Sequence, residues 1–562
     1  MRYLYIVLYL LLFFSFPSFS QTNIFRNPFD FPILLSANFG ELRSNHFHTG
    51  IDFKTQGVEG KPVRAVQGGY ISRISVSPWG YGNVLYMNHP DGTTTVYGHL
   101  QRFDKQITAY VKEQQYKEEK FAVNLDPDSG LFVFKQGDVI GLSGNSGSSG
   151  GPHLHFEIRD TKTEEIMDPL TEYKNRIKDT RAPVIQKIRV YPVEGSGVVN
   201  GSSKPKSFDV VVSKQLKQPI VRGKIEAWGA IGLAVKASDY MDATSNVYGV
   251  KEIVLMKDSD VVFRSSIDRF SFDDMRFLNS FVDYAEWRNN HSFYMKSFIE
   301  PGNKLRFMKA LNRGILMIDE EKTYVLSYLL SDSYGNTTLL SFKIEGKKQA
   351  IPEPNKQDSV LFHWTGDNHF GAKGIRLFIP RGNLYSDTYF CYRVQEDSTA
   401  LAATHILNVE PVPLHRSATL SIRLQNDSLE NKQQYGMVRI HKNQASWIGG
   451  EYKNGWINAE INELAAYTIK TDTLPPIITP IDPRHWGQRK RIIIRLSDHL
   501  SGVSSYRGEI DGQFVLFEFD GKKGLLTYDF DAERLKQGTH KLVFAAEDAC
   551  GNRSEYIRKF VW

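Results

Sequence analysis

Six of the 15 histidines, His46, His48, His89, His99, His153 and His155, fall within residues 46–155. Three local patterns there could do chemistry. His48-Thr49-Gly50-Ile51-Asp52 sets an imidazole and a carboxylate four residues apart, with Gly50 letting the chain turn tightly between them. Both are donors that zinc accepts, although turn chemistry alone also produces this spacing. In His153-Leu154-His155-Phe156-Glu157 the side chains at i and i+2 of a strand share a face. His153 and His155 are therefore expected to face one groove, with Leu154 and Phe156 in the core behind them. Any half-exposed strand alternates in the same way. Glu157 would share the histidine face, either supporting a ligand or serving structure alone. The third pattern, Tyr97-Gly98-His99-Leu100, holds a single histidine at the far end of an expected hairpin.

Taken together the patterns say more. The run Gly141-Leu142-Ser143-Gly144-Asn145-Ser146-Gly147-Ser148-Ser149-Gly150-Gly151-Pro152 leads directly into His153. It has no Gly-Lys-Ser/Thr ending, so it is no phosphate-cradling loop of the Walker type, and it reads as backbone shaped around an extended ligand. The combination H-x-G-x-D, Y-G-H-L and G-N-S-G-S-S-G-G-P-H-L-H-F-E resembles the lysostaphin/LytM-type zinc metallopeptidases, peptidase family M23, over roughly residues 35–160. The resemblance implies a compact antiparallel sheet with a groove. It implies that His48, Asp52 and His155 hold one catalytic Zn2+, and that His99 and His153 are the catalytic histidines that are not ligands. Its implied substrates are the peptide cross-links or bridges of peptidoglycan. Two His and one Asp would leave a position for water, as catalytic zinc sites do. His153 is then the expected base and His99 the expected oxyanion partner, an order the sequence leaves open. The same pattern selects His48 over His46, which is left as groove lining or surface. His89 precedes Pro90 in a turn and is given no chemistry. Asn38, in an Asn-Phe-Gly turn, is expected to be structural.

The elements that must position these residues are short strands. Apolar alternating runs are punctuated by Gly68-Gly69, Trp79-Gly80-Tyr81-Gly82 and Pro90-Asp91-Gly92. Residues 83–87 and 93–97 read as a hairpin about the last of these turns. Residues 101–133 are a departure, since connections between strands are usually about 4–6 residues long. This stretch is charged, helix-compatible over Ala109 to Lys120, and expected as a loop insertion over the sheet that covers one end of the groove or acts as a lid.

Past residue 178 the chain repeats itself. Asp179-Thr180-Arg181-Ala182-Pro183-Val184-Ile185 is echoed by Asp472-Thr473-Leu474-Pro475-Pro476-Ile477-Ile478, Ser238-Asp239 by Ser497-Asp498, and Asp332-Ser333-Tyr334-Gly335-Asn336 by Asp548-Ala549-Cys550-Gly551-Asn552. These copies resemble bacterial immunoglobulin-like β-sandwich modules. The expected organisation is mainly β: a leader over 1–20, a metallopeptidase domain over 21–178, an immunoglobulin-like domain over 179–350, a β-rich domain over 351–470 and a second immunoglobulin-like domain over 471–562.

Composition bounds the rest. In 562 residues, 41% are hydrophobic and 23% charged, which excludes a disordered chain and leaves material for several cores. Two cysteines exclude a disulfide-stapled scaffold; Cys391 and Cys550, in different blocks, are expected as free buried thiols. The net charge of +6 is spread thinly over residues 179–562, with no basic run of the kind that tracks a phosphate backbone, so nucleic acid is excluded as a partner. Met1-Arg2 followed by an apolar run that ends at Ser18-Phe19-Ser20 reads as an export signal. It implies work in the periplasm or cell envelope, or outside the cell. Two other readings stand beside the peptidase: a regulator of cell-wall hydrolases that has lost catalysis, and a scaffold whose C-terminal β domains bind wall or envelope proteins.

Overall fold

The computed structural model describes residues 25–354 and 358–562; the export signal expected over 1–20 lies outside them. The architecture is mainly β and almost wholly antiparallel. Among the described residues no helix is long and apolar enough to cross a membrane.

The sheet that matters for chemistry uses β1 (Leu35–Ala37), β2 (Ile51–Lys54), β3 (Gly69–Val76), β4 (Asn83–Asn88), β5 (Thr93–Leu100), β6 (Val123–Leu125) and β7 (His153–Asp160), in the order β1-β2-β7-β5-β4-β3-β6. β4 and β5 form the hairpin expected from the sequence, closed by His89 N–H donating to Thr93 O at 2.9 Å. β7 lies between β2 and β5, with His155 opposite Asp52 on one side and Gly98 on the other. Its alternation works as anticipated: Leu154 and Phe156 are fully buried in the core. Phe156 packs edge-on against Tyr97 and Tyr173 at centroid distances of 5.4 and 5.9 Å.

This sheet does not end where the peptidase-like residues end. Ile166–Met167, paired with β7, also pairs with Arg269–Phe270 of the next block. Phe270 stacks on Phe39 at 4.8 Å and tilts against Phe47 at 5.4 Å. One apolar core therefore runs without a break from Phe25 through the strands of the following module, across the border expected near residue 178.

The middle block is two facing sheets, one containing Thr388–Gln395 and Tyr435–His441, the other Val412–Arg423 and Trp456–Leu464, around their own core. The last block also has two sheets, one built on Arg491–Ser497 and the other on Thr539–Asp548, around Trp486, Phe517 and Phe544. Cys391 and Cys550 are free; Cys550 is buried, but Cys391 is only half-buried because it lies near the edge of its sheet.

The stretch read as a loop insertion contains a helix, α1 (Lys105–Glu118), capped by the Asp104 side chain, which accepts from Gln106 N–H. Its inner face buries Ile107, Val111 and Gln115. Its outer face meets the last block of the chain. Lys112 pairs with Asp531 at 2.7 Å and Glu119 with Arg507 at 2.7 Å, while the Arg534 guanidinium lies 3.7 Å from the centre of the Tyr116 ring. The insertion is a bracket between two blocks, because its polar face is occupied by complementary charges.

The shared core generates a prediction. Phe270→Ala removes the ring between Phe39 and Phe47 and should cost about 3–5 kcal/mol. Urea unfolding followed in both blocks should show them lose stability together; loss confined to the block after residue 178 would contradict a shared core.

Candidate metal centre

Gly50 shapes the first turn of the site. A Cβ there would stand 2.1 Å from the Phe156 carbonyl oxygen, so only glycine lets the His48–Asp52 segment press against β7. The His48 and Asp52 side chains then meet His155. His48 Nε2, His155 Nδ1 and Asp52 Oδ1 lie 3.0–3.1 Å from one another. Two nitrogens and a carboxylate oxygen, converging and nine-tenths buried or more, are the donor set of a zinc site.

The other face of each ring settles which nitrogen points inward. His48 Nδ1 donates to the Asn38 carbonyl at 2.7 Å, leaving Nε2 as the inward lone pair. His155 is turned the other way: its Nε2 donates to Glu157 Oε1 at 2.8 Å, leaving Nδ1 inward. His153 Nδ1 donates to Gly151 O at 2.8 Å and His99 Nδ1 to Ser146 O at 2.9 Å. All four histidines thus keep a bare nitrogen after satisfying a structural partner. His153 Nε2 stands 3.5 Å from Asp52 Oδ1. The His99 ring centre is 4.8 Å from that of His153 and 5.8 Å from that of His155. His99 also holds a left-handed backbone, φ 59°, where β-strand residues do not normally sit.

Charge follows geometry. Burial, with His155 and His153 alongside, pushes the His99 imidazole down to about 3. Burial also lowers His153, against the opposing pull of Asp52. Burial alone would raise Asp52, but the neighbouring histidines hold it well below the usual carboxylate range. Glu157 is fully buried and likewise kept ionised, because Arg159 and His155 outweigh burial.

The five residues singled out from the sequence are brought together; His46 and His89 are not. His46 is exposed and bonds Ser44 O. His89 is buried between Gly68 O and Thr95 Oγ1, with both ring nitrogens engaged. Sequence reasoning offered Glu157 as a support for a ligand, and it does meet His155; what it missed is what holds Glu157. Glu157 accepts from Tyr81 OH at 2.5 Å and from Arg159 Nε at 2.7 Å, so three residues back the His155 ring. Arg159 shares the Glu157 face at i+2, a legible signal; Tyr81 sits in a distant turn and gave none. Arg43, 4.0 Å from Asp52 Oδ2, was also missed. Asn38 is structural, as expected, but it does more than close a turn: besides holding His48, its side chain exchanges two hydrogen bonds with Gly249, at 2.8 and 2.9 Å.

The glycine-rich run is not shaped only for a ligand. Ser148 N–H donates to Gly80 O, Ser148 Oγ accepts from Gly80 N–H, and Ser146 Oγ accepts from Asn83 N–H, each at 2.9 Å. A Cβ on Gly147 would lie 2.3 Å from Gly82 N, so the run is moulded on the Trp79–Gly82 turn. Its rim is touched by the last block of the chain: Lys522 Nζ donates to Asn145 O and, at 2.9 Å, to Ser149 O. The Ser149 hydroxyl is 3.2 Å from His153 Nδ1. Phe519 stands edge-on to Trp79 at 6.3 Å.

Residues 46–116 match the family model described as peptidase family M23, and residues 359–472 match that of a Zu5-like domain. Over 118 residues the chain is 34% identical to the DD-carboxypeptidase/endopeptidase Mpg of Neisseria meningitidis serogroup B, covering 21% of each. Over 131 residues it is 28% identical to lysostaphin of Staphylococcus simulans, covering 23% of this chain and 22% of that one. The solved catalytic domain of lysostaphin from the same organism aligns at 25% identity over 25% of this chain and 92% of that one, with a TM-score of 0.19. The chain spans about a fifth of the length of the curated relatives it matches first.

Glu157→Gln keeps the shape of the support but removes its charge and leaves Arg159 without its carboxylate partner. Zinc affinity, read by competition with a chromophoric chelator, should fall about 10–100-fold; an unchanged affinity would show that Glu157 does not act on the ligand. The segment similar to peptidase family M23 contains His48, Asp52 and His99, and β7 completes their ring with His153 and His155.

Proposed function

We propose that the protein is an exported zinc metalloendopeptidase that hydrolyses peptide bonds in peptidoglycan. The observation that carries this reading is the ring of four histidines, each with one nitrogen tied to a structural partner and the other left bare, gathered around Asp52. A structural metal site would need no uncommitted imidazoles beside it. His48, Asp52 and His155 would hold the zinc. When bound, zinc supplies a Lewis acid that polarises the scissile carbonyl and makes water acidic enough to attack near neutral pH.

The chain's own residues do the rest. His153 Nε2, unprotonated and facing Asp52, takes the proton from the attacking water. The Asp52 carboxylate 3.5 Å away stabilises the imidazolium that results, and His153 then delivers the proton to the leaving amine. Gly151 O and the Ser149 hydroxyl keep its other nitrogen oriented. His99 is the second catalytic histidine. Its Nδ1–H is committed to Ser146 O and burial disfavours a second proton, so it presents an acceptor at Nε2, suited to take a hydrogen bond from the attacking water.

The substrate class rests on the similarity to lysostaphin and to the Neisseria endopeptidase. The apolar leader over residues 1–20 supports export to the periplasm or envelope. The C-terminal β modules are proposed to meet wall or envelope proteins. A non-catalytic regulator is the second reading; the complete set of five residues weighs against it.

The test is zinc content together with release of new peptide termini from peptidoglycan. The parent protein should bind one catalytic zinc and release fragments, and His155→Ala should do neither. His153→Ala should keep zinc and lose about 10²–10⁴-fold in kcat. A parent that binds no zinc sinks the proposal; one that binds zinc and cleaves nothing favours the regulator. Lys522→Ala should raise KM for cross-linked material with little change in kcat, and equal effects on both would remove the last block from the substrate path.

A further inference from the structure

The two repeated modules share more than strands. In the first, Asp179 precedes the opening strand, Asp239 follows the strand Glu226–Ser238, and Asp332 follows the strand Thr323–Ser331. In the last, Asp472, Asp498 and Asp548 hold the corresponding places. Each trio offers carboxylate oxygens within 4.8 Å of one another. The frames match in detail. Asp332 Oδ1 accepts from the N–H groups of Tyr334 and Asn336, both at 2.8 Å; Asp548 Oδ1 accepts from those of Cys550 and Asn552 at 2.8 and 2.9 Å. The Asn336 amide donates to Asp332 Oδ2 at 2.7 Å and to Asp179 O at 3.2 Å, and the Asn552 amide to Asp548 Oδ2 at 2.7 Å and to Asp472 O at 2.9 Å.

Such frames position carboxylates without neutralising them. Asp239 is 1% exposed, its carboxylate lies within reach of the other two, and its Oδ1 has no hydrogen-bond partner. Asp179 Oδ2 and Asp498 Oδ1 are likewise buried and unpartnered. Among the described residues no Lys, Arg or His forms an ion pair with any of the six. A buried carboxylate oxygen close to two other carboxylates and without a protein donor is costly, and the chain holds the arrangement at both equivalent places.

We infer that each trio is a binding site for a divalent cation of the calcium class, one in each repeated module. All the donors are carboxylate oxygens, which suit a hard cation, and calcium takes such ligands in irregular numbers where magnesium demands a tight octahedron. Both sites lie at joints. Residues 239–249 run from the first site to the contacts on the catalytic sheet: Asn246 Nδ2 to Ser36 O at 3.0 Å, Tyr248 OH to Leu35 O at 2.8 Å, and Gly249 to Asn38. At the second site Asp472 N–H donates to Gln434 O at 2.9 Å, and Gln434 Nε2 to Asn552 Oδ1 at 2.6 Å, fastening the last module to the middle block. The inference is independent of the chemistry at His48.

The experiment uses the full chain, freed of calcium and held at constant zinc. Calcium bound at equilibrium is counted by atomic emission, and Tm is followed with calcium and with magnesium at equal concentration. The expected result is two calcium ions per chain and a rise in Tm of about 3 °C or more that magnesium does not reproduce. Asp239→Asn and Asp498→Asn should each lose one calcium, and the double variant both, with zinc content unchanged. No calcium on the parent, or two on the double variant, overturns the inference; a single variant that keeps both calcium ions overturns the site in its own module. If a variant fails to fold by circular dichroism, the count on the parent alone decides, two supporting the inference and zero sinking it.

Discussion

A slip of one residue in β7 against β2 would turn His153 and His155 into the core and bring Leu154 and Phe156 to the surface. The whole centre depends on that register. It sets His155 across from Asp52, and it sets Gly98 beside the His155 side chain, where a Cβ would stand only 3.3 Å from that of His155. The apolar face enforces it, since Phe156 is wedged among Phe53, Tyr97 and Tyr173. Packing on one side of the strand thus fixes the histidines on the other, and Glu157, two residues past His155, turns that ring so that Nδ1 faces Asp52.

That His48, Asp52, His99, His153 and His155 would come together was legible because they sit in short local patterns, H-x-G-x-D, Y-G-H-L and H-L-H, whose spacings are set by turns and strand alternation. The alternation of β7 and the β4–β5 hairpin were legible for the same reason: period-two burial and turn residues are local signals. What could not be read comes from distance along the chain. Tyr81 reaches Glu157 from 76 residues away, and Asn38 ties His48 to Gly249 across 211. The charged stretch after His99 is a related case. Its polarity suggested a lid because nothing nearby in sequence could show that Asp531 and Arg507 answer its charges.

The modules are therefore structural members of the catalytic unit as well as appendages to it. The first shares a core with the sheet that bears the site and holds Asn38, the residue after β1 whose carbonyl orients His48. The last grips α1 and the rim of the glycine-rich run. An enzyme needs its reacting groups held to a fraction of an ångström, and here much of that holding comes from outside the sheet that bears them.

The contact between Lys522 and the carbonyl of Ser149 spans 373 residues of sequence, and that separation is also an interval of time. At cellular rates of synthesis the last block follows the catalytic sheet by roughly 20–75 s. Through that interval the histidines can assemble while one rim of their surroundings has yet to arrive. A newly made chain thus passes through a youth in which its reactive centre is built but unfinished, and it comes of age only when its final strands are folded.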